Sequence, residues 1–103
     1  MKYNKLVRDK IPEIIKSRWA LPVVHVADEK EYWESLKAKL LEETNEVLED
    51  DNIEEELADL TEVIYAMLDF KWISINDLEK TRVNKKESRW WFKDRIILEE
   101  TKG

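Results

Sequence analysis

Residues 41–59 read LEETNEVLEDDNIEEELAD and contain two short acidic clusters, separated by a break at Asp50-Asp51-Asn52. The apolar periodicity on each side of the break predicts an amphipathic helix, and the break itself predicts a tight turn between the helices. Two helices joined by so short a link fold back on each other. The stretch therefore predicts an antiparallel helix pair whose acidic clusters face one another.

Four of these acids are predicted to lie on or beside the apolar faces of their helices. Because each helical residue turns the chain by about 100°, Glu56 falls inside the apolar arc of the second helix and Asp59 at its margin. On the first helix Glu43 interrupts the apolar stripe and Glu46 flanks it. An unpaired buried carboxylate is costly, so Glu43 and Glu56 require a metal ion, a basic side chain or a bound proton. Four other acids are expected to be solvated: Glu42, Glu49, Glu54 and Glu55.

Length and composition limit the class of protein. The chain has 103 residues, of which 41% are charged, and a formal net charge of −6. This length fits one domain, residues 1–103, and the acidity argues against nucleic acid or an anionic membrane as the main partner. The absence of cysteine excludes disulfides and thiolate metal sites. With no membrane-length apolar run and no signal-peptide core, the expectation is a soluble cytoplasmic protein.

Helix-start signals recur along the chain. Asp28, Asn52 and Ser74 are good N-caps, and they predict helices that end near Glu49, Phe70 and Glu87. Asp9 is expected to cap a short helix that has Pro12 in its first turn and ends by residues 17–19. Extended segments are expected at residues 1–8 and at the start of the tail, residues 90–100. Residues 21–26 are expected to form a lone strand or an extended linker packed on the helices. We therefore predict an all-α antiparallel bundle of about four helices, with short extended segments near the N-terminal third and the C-terminus.

Two compositional features accompany this fold. The single histidine, His25, lies in an extended stretch without a partner histidine at ligand spacing, so an exposed or structural role is favoured. The chain has five tryptophans and one glycine, against a usual glycine share of about 7%. Trp19 and Trp72 follow predicted helix ends, where glycine is expected, so those turns are predicted to be rebuilt or strained. Wide apolar helix faces further predict a homodimer or higher homo-oligomer.

The acid pattern favours hard-cation chemistry. Oxygen ligands from facing helices suit Mg²⁺, with Mn²⁺ possible, whereas structural zinc prefers Cys and His. A bound Mg²⁺ can clamp a polyphosphate and activate an attacking water. Basic side chains near the two ends of the chain are candidate phosphate contacts on charge grounds: Lys5, Arg8, Lys85 and Arg89. The residues therefore favour metal-assisted attack by water on a phosphoanhydride.

Glu43-x-x-Glu46 followed by Glu56-x-x-Asp59 resembles the pattern of the all-α nucleoside triphosphate pyrophosphohydrolases, the MazG-like group. YNKLVRDKIPEII at residues 3–15 and KKESRWWFKDRIIL at residues 85–98 resemble the start and end of its phosphoribosyl-ATP pyrophosphohydrolase-like, house-cleaning branch. The resemblance covers nearly the whole chain. It departs at residues 90–92, where this chain has Trp-Trp-Phe and the branch usually has Gly-Gly-Phe.

The resemblance implies an enzyme that hydrolyses the α–β phosphoanhydride of a nucleotide with Mg²⁺, giving a nucleotide monophosphate and pyrophosphate. It implies four metal ligands: Glu43, Glu46, Glu56 and Asp59. Candidates for the acid that orients the water are Glu42, Glu55 and Glu62. Phosphoribosyl-ATP, a damaged nucleoside triphosphate and a deoxynucleoside triphosphate remain open as substrates. Two other functions stay in view: a module that binds a nucleotide or metal without turnover, and a helical dimeric interaction protein.

Overall fold

A computed structural model, which describes residues 3–103, has an all-α fold. Its helices are α1 (Ile11–Ser17), α2 (Glu29–Glu49), α3 (Ile53–Phe70) and α4 (Ile75–Arg89). Residues 3–103 contain no strand, so residues 21–26 are irregular chain. The predicted all-α class and helix number are confirmed. The first two residues of the predicted N-terminal extended segment lie outside the described residues.

The longer helices begin where the sequence predicts. The carboxylate of Asp28 accepts a hydrogen bond from the backbone N–H of Glu31 at 2.8 Å, and the hydroxyl of Ser74 accepts one from Asp77 at 3.0 Å. The side-chain oxygen of Asn52 accepts from the backbone N–H of Glu55 at 3.5 Å. Each contact satisfies a backbone donor that the first helical turn leaves free. The predicted N-caps of α2, α3 and α4 are therefore confirmed.

The start of α1 differs from the prediction. Lys10, not Asp9, occupies the N-cap, and no side chain there accepts a hydrogen bond from the helix. Residues 9 and 10 already form a turn, and the backbone N–H of Ile11 donates to the carbonyl of Arg8 at 3.0 Å. This turn supplies the backbone contact that a capping carboxylate would otherwise make. Pro12 lies in the first turn, as expected.

The core of the first compact unit, which ends at Trp72, lies between α2 and α3. Asp50–Asn52 reverse the chain, so that the two helices run antiparallel. Leu36 from α2 and Val63 and Leu68 from α3 are buried between them. At the end of the pair away from the turn, the ring of Trp33 stacks on Phe70 with centroids 5.3 Å apart. The apolar arc predicted for α3 is too wide at the turn, because Ile53 and Leu57 are exposed.

The second compact unit comprises Ile73–Gly103. On α4 only the apolar Leu78 and Val83 are half-buried, and its other side chains are exposed. The tail does not begin as an extended segment, because the backbone N–H of Arg95 donates to the carbonyl of Phe92 at 3.2 Å and closes a turn. The prediction of one domain over residues 1–103 stays a prediction. None of the helices within residues 3–103 is long and apolar enough to cross a bilayer.

Tryptophan occupies strained backbone positions at three helix ends. The φ angles of Trp19, Trp72 and Trp90 are 64°, 60° and 67°. A residue with a Cβ in this left-handed region costs about 1–2 kcal/mol relative to the right-handed form. The turns after α1, α3 and α4 are therefore strained, which was one of the two alternatives that the scarcity of glycine predicted.

Candidate metal centre

The acidic clusters of α2 and α3 meet at the turn end of the helix pair. Glu43 and Glu46 lie one helical turn apart in the C-terminal half of α2, and Glu56 and Asp59 lie one turn apart near the start of α3. Residues three apart share a helix face, and the reversal at Asp50–Asn52 turns the two faces toward each other. The local geometry of each helix and the short link thus bring the acids together.

Glu43, Glu56 and Asp59 form the first group of converging carboxylates. Each offers an oxygen atom, and these atoms all lie within 4.8 Å of one another. All three residues are half-buried, and the side chain of Glu43 is only 12% exposed. Glu43 therefore interrupts the apolar stripe of α2 as predicted, and three of the four predicted metal ligands are brought to one place.

A second group contains Glu46, Asp50 and Glu56, whose oxygens also lie within 4.8 Å of one another. Glu46 and Asp50 are exposed, so this group forms the solvent-facing rim. Glu56 belongs to both groups and joins the inner site to the rim. Sequence reasoning missed Asp50, because it was assigned to the turn alone. Asp50 follows the last residue of α2 and has an extended backbone, with φ −90° and ψ 146°.

Two cations from the same unit contact the inner acids. The guanidinium Nη2 of Arg8 lies 2.8 Å from Oδ1 of Asp59, and Nζ of Lys39 lies 3.4 Å from Oε1 of Glu43. Lys39 was missed, although it precedes Glu43 by four residues, the spacing of a helical ion pair. Two cations cannot neutralise the five carboxylates of the two groups. The cluster therefore retains negative charge, which a divalent cation would offset.

The pKa of the Glu56 carboxyl is raised in this cluster. Partial burial raises it above the ordinary value of 4.5, and the negative charges of Asp50, Glu46 and Asp59 add to the shift. Glu42 is the opposite case: burial opposes its ionised form, but hydrogen bonds and positive charge from Lys5 and Lys39 together lower the pKa of its carboxyl. A cation bound beside Glu56 would offset its repulsion by the neighbouring carboxylates.

The donors present fit a hard divalent cation. Carboxylate oxygens are the ligands that Mg²⁺ takes from proteins, at about 2.1 Å, so two ligands opposite each other across the ion lie about 4.2 Å apart. The oxygens of Glu43, Glu56 and Asp59 lie within 4.8 Å of one another, a range that includes this separation. The exposed rim of Glu46 and Asp50 leaves room for the waters that Mg²⁺ retains.

The other predicted acids belong to neither of these two groups. Glu42 pairs with Lys5 at 3.0 Å and with Lys39 at 3.3 Å. Glu55 accepts a hydrogen bond from the side-chain amide of Asn52 at 3.0 Å, and Glu62 is exposed. Within the described residues, neither group of converging acids includes any of these three candidates for orienting water. Lys5 and Arg8 both contact acids of α2 or α3.

Two predicted phosphate contacts, Lys85 and Arg89, are exposed residues of α4 in the second unit. His25 is exposed as expected, with Nε2 at 2.9 Å from both carboxylate oxygens of Glu31. This contact links the segment before α2 to its first turn. It gives His25 a local structural role and no part in the acid cluster.

Without Mg²⁺, we expect Glu56→Gln to stabilise the protein at pH 7. The folded-state pKa of Glu56 is raised, so its contribution to stability is present below its unfolded value and is lost as the pH rises through the folded value. The difference in free energy of unfolding between the variant and the unaltered chain should therefore vanish toward pH 4. Denaturant unfolding in EDTA across this pH range measures it. Glu42→Gln, whose parent pKa is lowered, should destabilise at pH 7 and is the opposite-sign control.

With Mg²⁺ bound, the unaltered chain should become more stable than the Glu56→Gln variant. A ligand that binds the folded state at about 100 times its Kd stabilises it by about 2.7 kcal/mol, and we expect this gain in the unaltered chain and not in Glu56→Gln. The same denaturant series with excess Mg²⁺ in place of EDTA gives the comparison. Equal Mg²⁺ stabilisation of both proteins would contradict a site that uses Glu56.

Comparison with known proteins gives one partial sequence match. A protein of Mycolicibacterium smegmatis, described only as uncharacterized, is 46% identical to this chain over 43 residues. The matched region is 42% of this chain and 44% of that protein, so the chain spans less than half of the relative's length. Searches found no family model and no solved structure that matches the chain.

Proposed function

We propose that this chain is a Mg²⁺-dependent nucleoside triphosphate pyrophosphohydrolase that cleaves the α–β phosphoanhydride to a nucleotide monophosphate and pyrophosphate. The observation that carries the proposal is the convergence of Glu43, Glu56 and Asp59 from two helices, within 4.8 Å and partly buried. A solvated acidic face would leave its acids fully exposed, whereas these three are half-buried. The sequence resemblance to MazG-like pyrophosphohydrolases, which uses the same acids, is the second support.

The inner acids would hold Mg²⁺, and Mn²⁺ is a possible substitute. The ion supplies charge neutralisation on the polyphosphate and a water of lowered pKa. Glu43, Glu56 and Asp59 are the proposed inner ligands, and Glu46 with Asp50 would complete the rim. In the hydrolysis a water oxygen would bond to the α or the β phosphorus, and the P–O bond that bridges them would break with pyrophosphate or the monophosphate, respectively, as the leaving group. A carboxylate would take the water proton.

Arg8 is the best-placed phosphate contact in the first unit. It engages Asp59 through one terminal nitrogen, and its side chain is 59% exposed. A guanidinium has five N–H donors in a fixed fork and always carries its charge, so donors remain for a phosphate oxygen while the contact with Asp59 is kept. Lys5 is bonded to Glu42, and it would have to exchange that partner for phosphate.

The direct test is a panel of nucleoside and deoxynucleoside triphosphates, including oxidised and methylated bases, assayed for pyrophosphate with Mg²⁺ or with EDTA. We expect pyrophosphate, and not phosphate, from at least one nucleotide, and only when Mg²⁺ is present. The ranking of the panel identifies the base. If the folded protein binds Mg²⁺ but releases neither pyrophosphate nor phosphate from any nucleotide, the hydrolase proposal is contradicted. The protein would then be a binding module without turnover.

A homodimer is proposed separately, on the apolar surface of the helix pair. Leu41 and Leu48, seven residues apart, share one exposed face of α2, and Ile53 with Leu57 forms an exposed apolar pair on α3. A second copy of the chain would bury these side chains, and each fully buried leucine is worth about 1.5–3 kcal/mol. The core between α2 and α3 is small enough to need that addition.

We expect twice the chain mass of 12.5 kDa in sedimentation or light scattering at micromolar concentration. Leu48→Glu with Leu57→Glu should give the single-chain mass, because two charges would be buried in the shared surface. Val26→Glu, an exposed apolar position outside α2 and α3, is the matched control and should remain dimeric. A single-chain mass for the unaltered protein at every concentration contradicts the dimer.

A further inference from the structure

Two helices in the first unit are followed by a tryptophan at positive φ, in the position past the cap that is usually glycine. After α1 the backbone N–H of Trp19 donates to the carbonyl of Lys16 at 3.1 Å, and that of Ala20 to Ile15 at 3.3 Å. This pair of bonds is the Schellman motif, in which the first residue past the cap is left-handed and usually glycine. Trp19 holds that position with φ 64°. The side chain gains nothing there, since it is 99% exposed.

The end of α3 has the first of these two bonds and the same positive φ. The backbone N–H of Trp72 donates to the carbonyl of Asp69 at 3.2 Å, and Trp72 has φ 60°. It is the residue after the cap, as Trp19 is at α1, and it is 95% exposed. Trp72 therefore has the same strained backbone and the same lack of packing as Trp19.

Trp90, at the end of α4 in the second unit, has φ 67° and ψ −158°. This combination belongs to a backbone region that glycine alone ordinarily occupies, because any Cβ clashes there. Trp90 is also exposed. Three of the five tryptophans of the chain thus occupy glycine-type backbone, in a sequence whose single glycine is its last residue.

Trp33 differs from these three tryptophans in both backbone conformation and packing. It lies inside α2, it is half-buried, and its ring stacks on Phe70 beneath the Nζ atom of Lys71, 4.3 Å from the ring centroid. An indole at this position packs and is in ordinary helical backbone. The chain therefore contains one tryptophan that packs within the fold and three that the local backbone disfavours. The fifth, Trp91, is exposed but is not at a positive φ.

We propose that residues 19, 72 and 90 are glycine in the protein that its native cells make. A single cause accounts for all three positions: UGA is read as tryptophan in some genetic codes and as glycine in others, and a UGA codon at each position would give this sequence under the first reading. The inference predicts UGA at codons 19, 72 and 90 and UGG at codon 33. It stands apart from the proposed hydrolase activity.

Mass spectrometry of the protein from its native cells tests the assignment. Trypsin cleaves after Arg18 and Lys71, so residues 19 and 72 begin the peptides 19–30 and 72–80, and the intact mass reports the total number of replacements. We expect glycine at 19, 72 and 90 and tryptophan at 33 in the same sample. Tryptophan at any of the first three positions overturns the inference for that position.

A variant series in the full chain tests the physical premise. Trp19→Gly and Trp19→Ala both remove the indole, but only glycine relieves the positive φ. The glycine variant should have the larger folding equilibrium constant by roughly fivefold or more, and the pair at Trp72 should behave alike. At position 33 the alanine variant should instead have the larger folding equilibrium constant, by roughly fivefold, because glycine is unfavourable inside a helix. If alanine equals glycine at both 19 and 72, the backbone is not strained there and the inference fails.

Discussion

Replacing Glu56 by glutamine is expected to lower Mg²⁺-dependent pyrophosphate release by more than about 100-fold. Loss of a residue that merely orients a metal ligand typically costs 10–100-fold, and Glu56 is the carboxylate shared by both groups of converging acids. Glutamine keeps the size and the carbonyl oxygen but removes the charge that a hard cation requires. The measurement is the initial rate of pyrophosphate release from the best nucleotide of the panel.

Glu62→Gln is the matched control for this experiment. Glu62 lies on the same helix and is exposed, and it was a sequence-based candidate for orienting water. Because it belongs to neither group of converging acids, its replacement should leave the rate within about twofold, which is below 0.5 kcal/mol. A large loss with Glu62→Gln and none with Glu56→Gln would move the site away from the α2–α3 cluster.

Leu36→Ala is expected to destabilise the fold by about 3 kcal/mol, in the range measured when a buried leucine is truncated. Leu36 is 1% exposed and packs at the centre of α2, facing α3. In a small unit with few other buried side chains, this is a large share of a total that is usually 5–15 kcal/mol. Denaturant unfolding of the full chain measures the change.

Leu48→Ala provides the comparison on the same helix. Leu48 is 77% exposed in the single chain, so at concentrations where the protein is a single chain its truncation should change the stability by less than about 0.5 kcal/mol. Equal effects of the two truncations would mean that Leu36 does not lie at the centre of the core. That result would contradict the packing of α2 on α3, and with it the placement of the acids.

The helix starts could be predicted because they depend on local contacts. Asp28, Asn52 and Ser74 each cap a helix through a hydrogen bond to a residue three positions later. Both partners of each bond are therefore close together in the sequence. Glu43 and Glu56 could be placed on inner faces for the same reason, since helical periodicity and a three-residue turn decide the direction of both. Asp9 failed as a cap because a turn at residues 9 and 10 starts α1 one residue later.

The remaining parts of the site depend on contacts that the sequence pattern does not encode. Arg8 reaches Asp59 across 51 positions, and this contact depends on how the segment before α1 lies against α3. Asp50 joins Glu46 and Glu56 because its backbone leaves the helix at the cap, which turns its carboxylate toward the cluster. Leu57 belongs to the apolar arc of α3 by periodicity, yet nothing within its unit covers it, so it is exposed.

The central claim is that the α2–α3 acid cluster supports hydrolysis of the α–β phosphoanhydride with Mg²⁺. Phosphorus-31 NMR of the products, formed from the best nucleotide in ¹⁸O-labelled water, tests it most directly. The account predicts a nucleotide monophosphate and pyrophosphate, with one ¹⁸O atom in one of these two products. Nucleoside diphosphate with inorganic phosphate, formed at the same rate by Glu56→Gln, would contradict both the bond cleaved and the site proposed to cleave it.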